Sequence, residues 1–212
     1  MVIQWYGQSC FKITSGEFIL AIDPFGRETG LTPPRFKADV LLVTHDHEDH
    51  SNIEAIQGEP FLIKGPGEYD VKDITVQGLQ SFHDKRKGQD RGLNTIYVIE
   101  IEDVRVCHMG DFGEGELRED LREKLGEIDI LLIPVGGVYT IDAEEASKIV
   151  SELEPKIVIP MHYRIEGLNY KIDQVEKFIQ EMGEKKIEPE ERLVIKKKSI
   201  EENKTQLLLL KA

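Results

Sequence analysis

The sequence predicts an α/β (α+β) fold in which sheets and helices form layers. Up to about residue 103, short apolar runs alternate with Gly, Pro and Asp, a pattern typical of strands joined by turns. Beyond that point, strand-like runs alternate with longer amphipathic runs that are typical of helices. No Gly/Ser-rich or Pro-rich linker divides the chain, so a single domain over residues 1–212 is expected.

The first half is predicted to be mostly sheet. Its strand-like segments are IQWYG, CFKITS, EFILAID, VLLVT, DITVQGLQSF and NTIYVIEI. The apolar run at residues 40–43 is short and partly β-branched, which predicts a buried strand that ends near Thr44.

The second half combines strands with helices. Its segments are VRVCHMG, GELREDLREKLG, DILLIPV, DAEEASKIVSEL, KIVIPM, YKIDQVEKFIQEMG, ERLVIKKKSI and TQLLLLKA. The Gly-rich GDFGEGE is interpreted as a turn before a helix at Leu117, and Asp142 with Glu145 forms a capping-box pattern. Strands first and strand–helix alternation later favour layered α and β structure over a pure sandwich or a doubly wound fold.

Composition indicates a soluble, cytoplasmic protein. Cys10 and Cys107 lack the paired spacing of a disulfide framework or a cysteine zinc site, which favours a reducing cytosol. The amino terminus lacks a signal-peptide pattern, and the apolar runs are too short to cross a membrane. The net charge of -13 disfavours nucleic acid as a partner. The oligomeric state stays open, a homo-oligomer included.

A cluster of metal-ligand residues follows the strand that ends near Thr44. Within THDHEDH lie His45, His47, Asp49 and His50, and these include three of the chain's six histidines. Imidazole and carboxylate groups suit zinc, and also iron or manganese. Two clustered pairs indicate two ions, whereas a solvated polar loop is the alternative. Ser51 and Asn52 are expected to cap a helix that starts there.

Four side chains cannot complete two ion sites, so further ligands are expected elsewhere. His83, Asp111 and His162 each follow a predicted strand. In α/β proteins such positions gather at one edge of the sheet. Taken singly, each is more often a hydrogen-bonded structural residue; together with the cluster they form a complete ligand set.

These residues, in this order, resemble the five-motif signature of the metallo-β-lactamase superfamily. The signature runs from Asp23 in AIDPF through His45-x-His47-x-Asp49-His50, His83 and Gly110-Asp111 to His162. The resemblance implies a four-layer αββα sandwich with two divalent ions, Zn²⁺ in the first instance and Mn²⁺ or Fe²⁺ otherwise, at one edge between the sheets.

The resemblance also implies a role for each ligand. His45, His47 and His83 would hold the first ion, Asp49, His50 and His162 the second, and Asp111 would bridge both. Asp23 would hydrogen-bond a ligand histidine, although by itself it also fits a turn before Pro24.

Two further stretches are similar to a short branch of zinc-dependent hydrolases related to the ascorbate-6-phosphate lactonases. They are PVGGVYTIDAEEA at residues 134–146 and VIPMHY at residues 158–163. The chain departs from flavodiiron relatives, which have Glu at the position of His47 and an added flavodoxin domain. It also lacks the inserted domain or basic arm of the RNA-processing nuclease relatives.

The expected function is hydrolysis of a small ester, lactone or phosphodiester by a water activated between two metal ions, with Asp49 orienting the water or taking its proton. A small-molecule substrate is therefore the expected partner. A non-catalytic metal-binding protein with a structural or regulatory role is the alternative, and a redox di-iron protein is a weaker third. His108 is expected to be a structural residue near the site, and Tyr139 is either an oxyanion donor or a core or surface tyrosine.

Overall fold

Two β-sheets form the framework of residues 1–72, 74–200 and 204–212, which a computed structural model describes. The first sheet contains β1 (Val2–Trp5), β2 (Phe11–Ser15), β3 (Phe18–Ile22), β4 (Val40–Val43), β5 (Phe61–Lys64) and β12 (Leu193–Val194), in the order β12-β1-β2-β3-β4-β5. The second contains β6 (Gly67–Val71), β7 (Ile74–Phe82), β8 (Leu93–Ile101), β9 (Val104–His108), β10 (Ile130–Pro134), β11 (Ile157–Met161) and β13 (Gln206–Leu207), in the order β13-β11-β10-β9-β8-β7-β6. The predicted layered α/β (α+β) sandwich is confirmed.

Three α-helices accompany these strands in the described residues. They are α1 (Glu119–Leu125), α2 (Ala143–Leu153) and α3 (Glu176–Glu181). The capping box predicted at the start of α2 is present, because the Asp142 side chain accepts the Glu145 backbone N–H and Glu145 accepts the Asp142 N–H. Among the described residues, no helix combines the length and the apolar character that a membrane crossing requires.

Three local predictions differ from the structure. The helix expected at Leu117 begins at Glu119, and the two carboxy-terminal strands shrink to two residues each. The helix expected after His50 is only the 3₁₀ turn Ile53–Ala55. Its predicted caps are used elsewhere, since the Ser51 hydroxyl donates to the His47 carbonyl and the Asn52 amide donates to the Phe25 carbonyl.

The main core joins buried residues of both sheets and of the helices α1, α2 and α3 in one cluster. Leu20, Ile22, Val40 and Leu42 point into it, whereas the alternating residues of the same strands belong to a smaller cluster on the opposite face. The smaller cluster is Ala21, Leu41, Val43 and Ile56, packed against Phe36, Ala38 and Ile53. On this part of the first sheet, loop and 3₁₀ segments therefore form the outer layer.

Strand direction decides where the strand ends meet. β3, β4 and β5 are mutually parallel, and so are β9, β10 and β11. β7 runs antiparallel to β8, which is antiparallel to β9, so β7 and β9 point the same way. The segments after β7, β9 and β11 therefore emerge at one edge, which is where open α/β sheets place their sites.

Tyr97 of β8 ties the two sheets together close to that edge. Its fully buried hydroxyl donates to the Val43 carbonyl at 2.9 Å and accepts the Gly65 backbone N–H at 2.9 Å. Burial raises the pKa of the Tyr97 phenol, so the group stays protonated and able to donate. The backbone N–H of Thr95 adds a second cross-sheet bond, to the Thr44 carbonyl at 3.0 Å.

Replacing Tyr97 by phenylalanine is expected to lower the free energy of unfolding by about 1–3 kcal/mol, the usual cost of leaving a buried donor without its partner. The Gly65 N–H loses its acceptor and the Val43 carbonyl loses a donor. Urea denaturation measures the change.

Tyr6→Phe is the matched control, because the Tyr6 hydroxyl makes no hydrogen bond with any described residue. It should change the free energy of unfolding by less than about 0.5 kcal/mol. Equal losses in the two variants would contradict the importance of the cross-sheet bonds.

Candidate metal centre

The structure brings the seven predicted ligand side chains together at one edge between the sheets. They form three overlapping groups whose candidate ligand atoms lie within 4.8 Å of one another: His45, His47 and His83; His45, His50 and Asp111; Asp49, His50 and His162. The segments that carry them follow β4, β7, β9 and β11. Their roles as metal ligands stay a prediction, but the convergence that such roles require is present.

A tight turn after β4 concentrates the histidine cluster. The backbone N–H groups of His50 and Ser51 both donate to the His47 carbonyl at 3.0 Å, so the chain reverses within a few residues. As a result the His45 ring lies 4.6 Å from the His47 ring and 4.2 Å from the His50 ring, between centroids. His83, which arrives from β7, completes the group with its ring 4.8 Å from that of His45.

Asp23 orients two of these histidines through hydrogen bonds, His50 directly and His45 by way of Thr44. Its buried carboxylate accepts the Thr44 backbone N–H at 2.8 Å, the Thr44 hydroxyl at 2.7 Å and His50 Nδ1–H at 3.0 Å. Because the Thr44 hydroxyl donates to Asp23, its oxygen is left to accept His45 Nδ1–H at 2.9 Å. Both imidazoles therefore keep their protons on Nδ1 and turn Nε2 towards the site.

Asp111 lies at the centre of the cluster. Its Oδ1 is 3.3 Å from His50 Nε2 and accepts the Ser9 hydroxyl at 3.2 Å. Its Oδ2 is 3.2 Å from His83 Nε2 and 3.3 Å from His162 Nε2. One carboxylate thus faces histidines from both of the predicted ion sites.

The buried imidazoles leave donor atoms that the protein does not satisfy. His45 Nε2 and His50 Nε2, the nitrogens that these two rings turn towards the site, have no hydrogen-bond partner among the described residues. An unpaired buried polar atom costs about 1–3 kcal/mol, so such atoms call for a ligand. Nitrogen and carboxylate donors at this spacing fit divalent transition-metal ions.

The electrostatics of the cluster also favour a cation. Burial would raise the pKa of Asp111, but His162 and His50 hold it well below its usual value. Burial would likewise lower the pKa of His50, yet the Asp111 and Asp49 carboxylates raise it well above its usual value. Burial lowers the pKa of His45, so this ring is neutral. Ionised carboxylates and neutral imidazole are the forms that bind metal, so an ion bound at His50 would take the place of the extra proton that the carboxylates otherwise hold there.

Gln8 and Ser9, in the turn between β1 and β2, are site residues that sequence reasoning missed. Gln8 is fully buried, has a φ of 48° and donates from Nε2 to Asp49 Oδ2 at 3.1 Å. The same Nε2 lies 3.4 Å from His162 Nε2. The only signal in the sequence is a polar pair between two strands, and any hairpin turn shows that pattern.

His108 has the structural role that the sequence analysis favours. It is fully buried at the end of β9, and Asp111 follows this strand rather than lying on it. Its Nε2–H donates to the Ser9 carbonyl at 2.9 Å, while Nδ1 accepts the Gly110 backbone N–H at 3.1 Å. His108 therefore joins the Ser9 turn to the segment that carries Asp111.

A cavity of about 200 Å³ opens over the cluster. It is lined by His47, Asp49, His83, Arg91, Asp111, Tyr139, His162 and Tyr170. Tyr139, whose position the sequence left open, belongs to this wall. The cavity is smaller than the ~300–1,000 Å³ of pockets for drug-sized ligands, so it fits a small molecule.

Comparisons with known proteins find relatives over most of the chain. The profile of the family described as "Beta-lactamase superfamily domain" matches residues 2–162. A protein called "UPF0173 metal-dependent hydrolase" from Alkaliphilus metalliredigens is 32% identical over 194 residues, covering 77% of this chain and 85% of the relative. A protein of the same name from Pyrobaculum islandicum is 31% identical over 195 residues, covering 77% of this chain and 84% of the relative.

A solved structure shows the same fold over nearly the whole chain. It is a protein from Thermotoga maritima, described as a member of the metallo-beta-lactamase superfamily, with 32% identity, a TM-score of 0.80 and 99% coverage of both chains. The finer similarity to ascorbate-6-phosphate lactonases stays a prediction.

Gly110 precedes Asp111, and both its backbone conformation and its close packing favour glycine at this position. Its φ is +57°, and an added Cβ would lie 2.3 Å from Asn94 Oδ1 and 2.9 Å from Thr44 Cβ. Asn94 Oδ1 accepts the Asp111 backbone N–H at 3.0 Å, so any shift of Asn94 also moves Asp111. The position of the Asp111 carboxylate therefore depends on the absence of a side chain at residue 110.

Gly110→Ala is expected to lower the free energy of unfolding by more than the ordinary cost of alanine at positive φ. That cost is about 1–2 kcal/mol, and the contacts with Asn94 and Thr44 should add about 1–3 kcal/mol of overpacking. Urea denaturation gives the total. Gly16→Ala is the matched control, because Gly16 has the same φ of +57° with nothing within 4 Å of an added Cβ. If both variants lost the same free energy of unfolding, the predicted contacts of the added methyl group with Asn94 and Thr44 would cost nothing, and the prediction would be wrong.

Proposed function

Because the chain belongs to the beta-lactamase superfamily, and within it to the UPF0173 metal-dependent hydrolases, we propose that it hydrolyses a small ester, lactone or phosphodiester with two bound divalent ions. The observation that carries this proposal is the convergence of seven donor side chains, with Asp111 at their centre. A single tetrahedral ion cannot use seven ligands, whereas two ions with a shared carboxylate can.

The geometry supports a division of the ligands between two ions. His45, His47 and His83 form one group and Asp49, His50 and His162 form another. Asp111 would lie between them, since its oxygens lie 3.2–3.3 Å from histidine nitrogens of both groups. This donor set suits Zn²⁺, with Mn²⁺ and Fe²⁺ as the other candidates.

Bound at these positions, two divalent ions would supply a water with a pKa of about 7 and would polarise a carbonyl or phosphoryl oxygen. Side chains of the protein would then accept the proton of the attacking water and stabilise the negative charge that develops on the substrate oxygen. Asp49, held by the Gln8 amide, is placed to orient the attacking water or accept its proton. Tyr139 lines the same cavity, and its hydroxyl would donate to a developing oxyanion.

The cavity and the thiols support two further parts of the proposal. A small molecule is the expected substrate because the cavity is only about 200 Å³. We also place the protein in the cytoplasm, where the free and buried thiols of Cys10 and Cys107 stay reduced.

Purified protein is expected to carry close to two transition-metal ions per chain, since the unsatisfied imidazole nitrogens and ionised carboxylates form two groups of ligands. Elemental analysis of the freshly purified protein, and of chelated protein reloaded with zinc, manganese or iron, measures the stoichiometry. A protein that takes up none of the three would overturn the proposed function.

Asp111→Asn is expected to lose the paired ions and at least about a hundredfold of the hydrolytic activity, the scale of removing one electrostatic element from a transition state. Two dications a few ångströms apart repel each other, and the bridging anion offsets that repulsion. Profiling metal-loaded wild type and Asp111→Asn against lactones, thioesters and phosphodiesters supplies the measurement, with the chelated protein as the blank.

Asp129→Asn is the matched control for that substitution. Asp129 is also largely buried and ion-paired, but with Lys197, far from the metal-ligand cluster in the fold. Its variant should keep both ions and the activity even if it is less stable. Full metal content and activity in Asp111→Asn would refute the proposed bridge.

A further inference from the structure

Arg91 stands out among the residues that line the cavity. It is the only lysine or arginine among the described residues of this wall, which otherwise consists of presumed metal ligands and two tyrosines. The chain as a whole is acidic, with 40 Asp and Glu against 27 Lys and Arg. A cation placed in this wall therefore requires an explanation.

The position of Arg91 is built by the loop that starts beside His83. The Asp84 carboxylate accepts four backbone N–H groups of this loop, from Arg86, Gly88, Asp90 and Arg91, at 2.7–3.0 Å. The loop then closes on its own beginning, because Gly92 accepts the His83 backbone N–H at 3.1 Å. These hydrogen bonds hold the backbone of Arg91 in place beside the cavity.

The Arg91 guanidinium lies over an aromatic ring instead of pairing with an acid. Its carbon lies 4.5 Å from the centre of the Tyr139 ring, and Tyr139 meets Tyr170 edge to face at 6.2 Å. No described carboxylate lies within ion-pair distance of it. Arg86 of the same loop differs, since it pairs with Asp90 at 2.8 Å on the exposed surface.

A guanidinium that lies over an aromatic ring makes no hydrogen bond to that ring's face, so its N–H groups stay available to a ligand. Those groups match the oxygens of a carboxylate or a phosphate, and this geometry is the main advantage of arginine over lysine. The cation–π contact with Tyr139 holds the plane in place without using the donors. Arg91 thus offers an unused anion-binding group at the wall of a small cavity.

We propose that Arg91 binds an anionic group of the substrate, a phosphate or a carboxylate, while the adjoining part of the molecule packs against Tyr139 and Tyr170. This inference rests on the proposed function, because it assigns a substrate class to the same cavity. The substrate is then a small anion whose hydrolysable bond faces the Asp111 cluster.

Isothermal titration of the metal-loaded chain with three related probes tests the proposal. Glycerol 3-phosphate and glycerate carry the two candidate anionic groups, and glycerol carries neither. At least one anion should bind more tightly than glycerol, and the preferred anion identifies the group that Arg91 recognises. Arg91→Gln should weaken that anion at least about tenfold, the scale of losing a charge-assisted hydrogen-bond pair.

Two further variants separate the local contact from general charge. Arg86→Gln removes the same charge from the same loop but outside the cavity, and it should bind the anion like the wild type. Arg91→Lys keeps the charge without the planar pair of donors, and its affinity should be intermediate. Circular dichroism and metal content establish that each variant is folded and loaded.

The proposal is overturned if Arg91→Gln binds the anion as tightly as the wild type, which means that the metals alone hold it, or if neither anion exceeds glycerol. These results differ from failure of the proposed function. A protein that holds two ions and hydrolyses a neutral ester, but fails this titration, refutes the anion site alone. If the chain takes up no metal, the proposed hydrolytic function is refuted. The same titration of the metal-free protein then still tests whether Arg91 binds an anion.

Discussion

The buried Asp23 carboxylate is the constraint on which the geometry of the metal centre depends. It accepts hydrogen bonds from the Thr44 backbone, the Thr44 hydroxyl and His50, and through Thr44 it also sets the orientation of His45. A φ of 44° at Asp23 turns the chain directly after β3, so that the carboxylate lies beneath the loop that follows β4. The backbone strain at this position is offset by three hydrogen bonds in a place from which water is excluded.

Strand direction extends this local arrangement to the whole ligand set. β7, β9 and β11 all end at the edge where β3 and β4 end, and the Tyr97 and Thr95 bonds hold the two sheets in register there. The sandwich can therefore supply histidines and carboxylates from distant parts of the chain without a long loop. Short, hydrogen-bonded connections keep each side chain close to a rigid strand, which is what a preorganised centre needs.

Charge is distributed in a way that separates the cavity from the rest of the surface. The body of the molecule is acidic, and the clustered carboxylates of Asp49 and Asp111 favour cations at the centre of the site. The only Lys or Arg found in the described wall is Arg91, which has no partner carboxylate within ion-pair distance. A metal-loaded cavity of this kind would present positive charge to a small anion on an otherwise repelling surface.

The sequence by itself determined the layered α/β class, the capping box at Asp142 and the clustered candidates His45, His47, Asp49 and His50, because each depends on local periodicity or on residue types close together in the chain. His83, Asp111 and His162 are predicted from their positions after strands and from the order of the family signature. It also marked Asp23 as a residue of interest but left its role between a turn and a hydrogen bond. Only the tertiary structure decided that role, placed Gln8 and Ser9 against the carboxylates of Asp49 and Asp111, and brought Arg91 to the cavity wall. The physical reason is that these contacts join groups far apart in sequence, and their distances follow from the pairing of strands and the packing of two sheets, which no local pattern encodes.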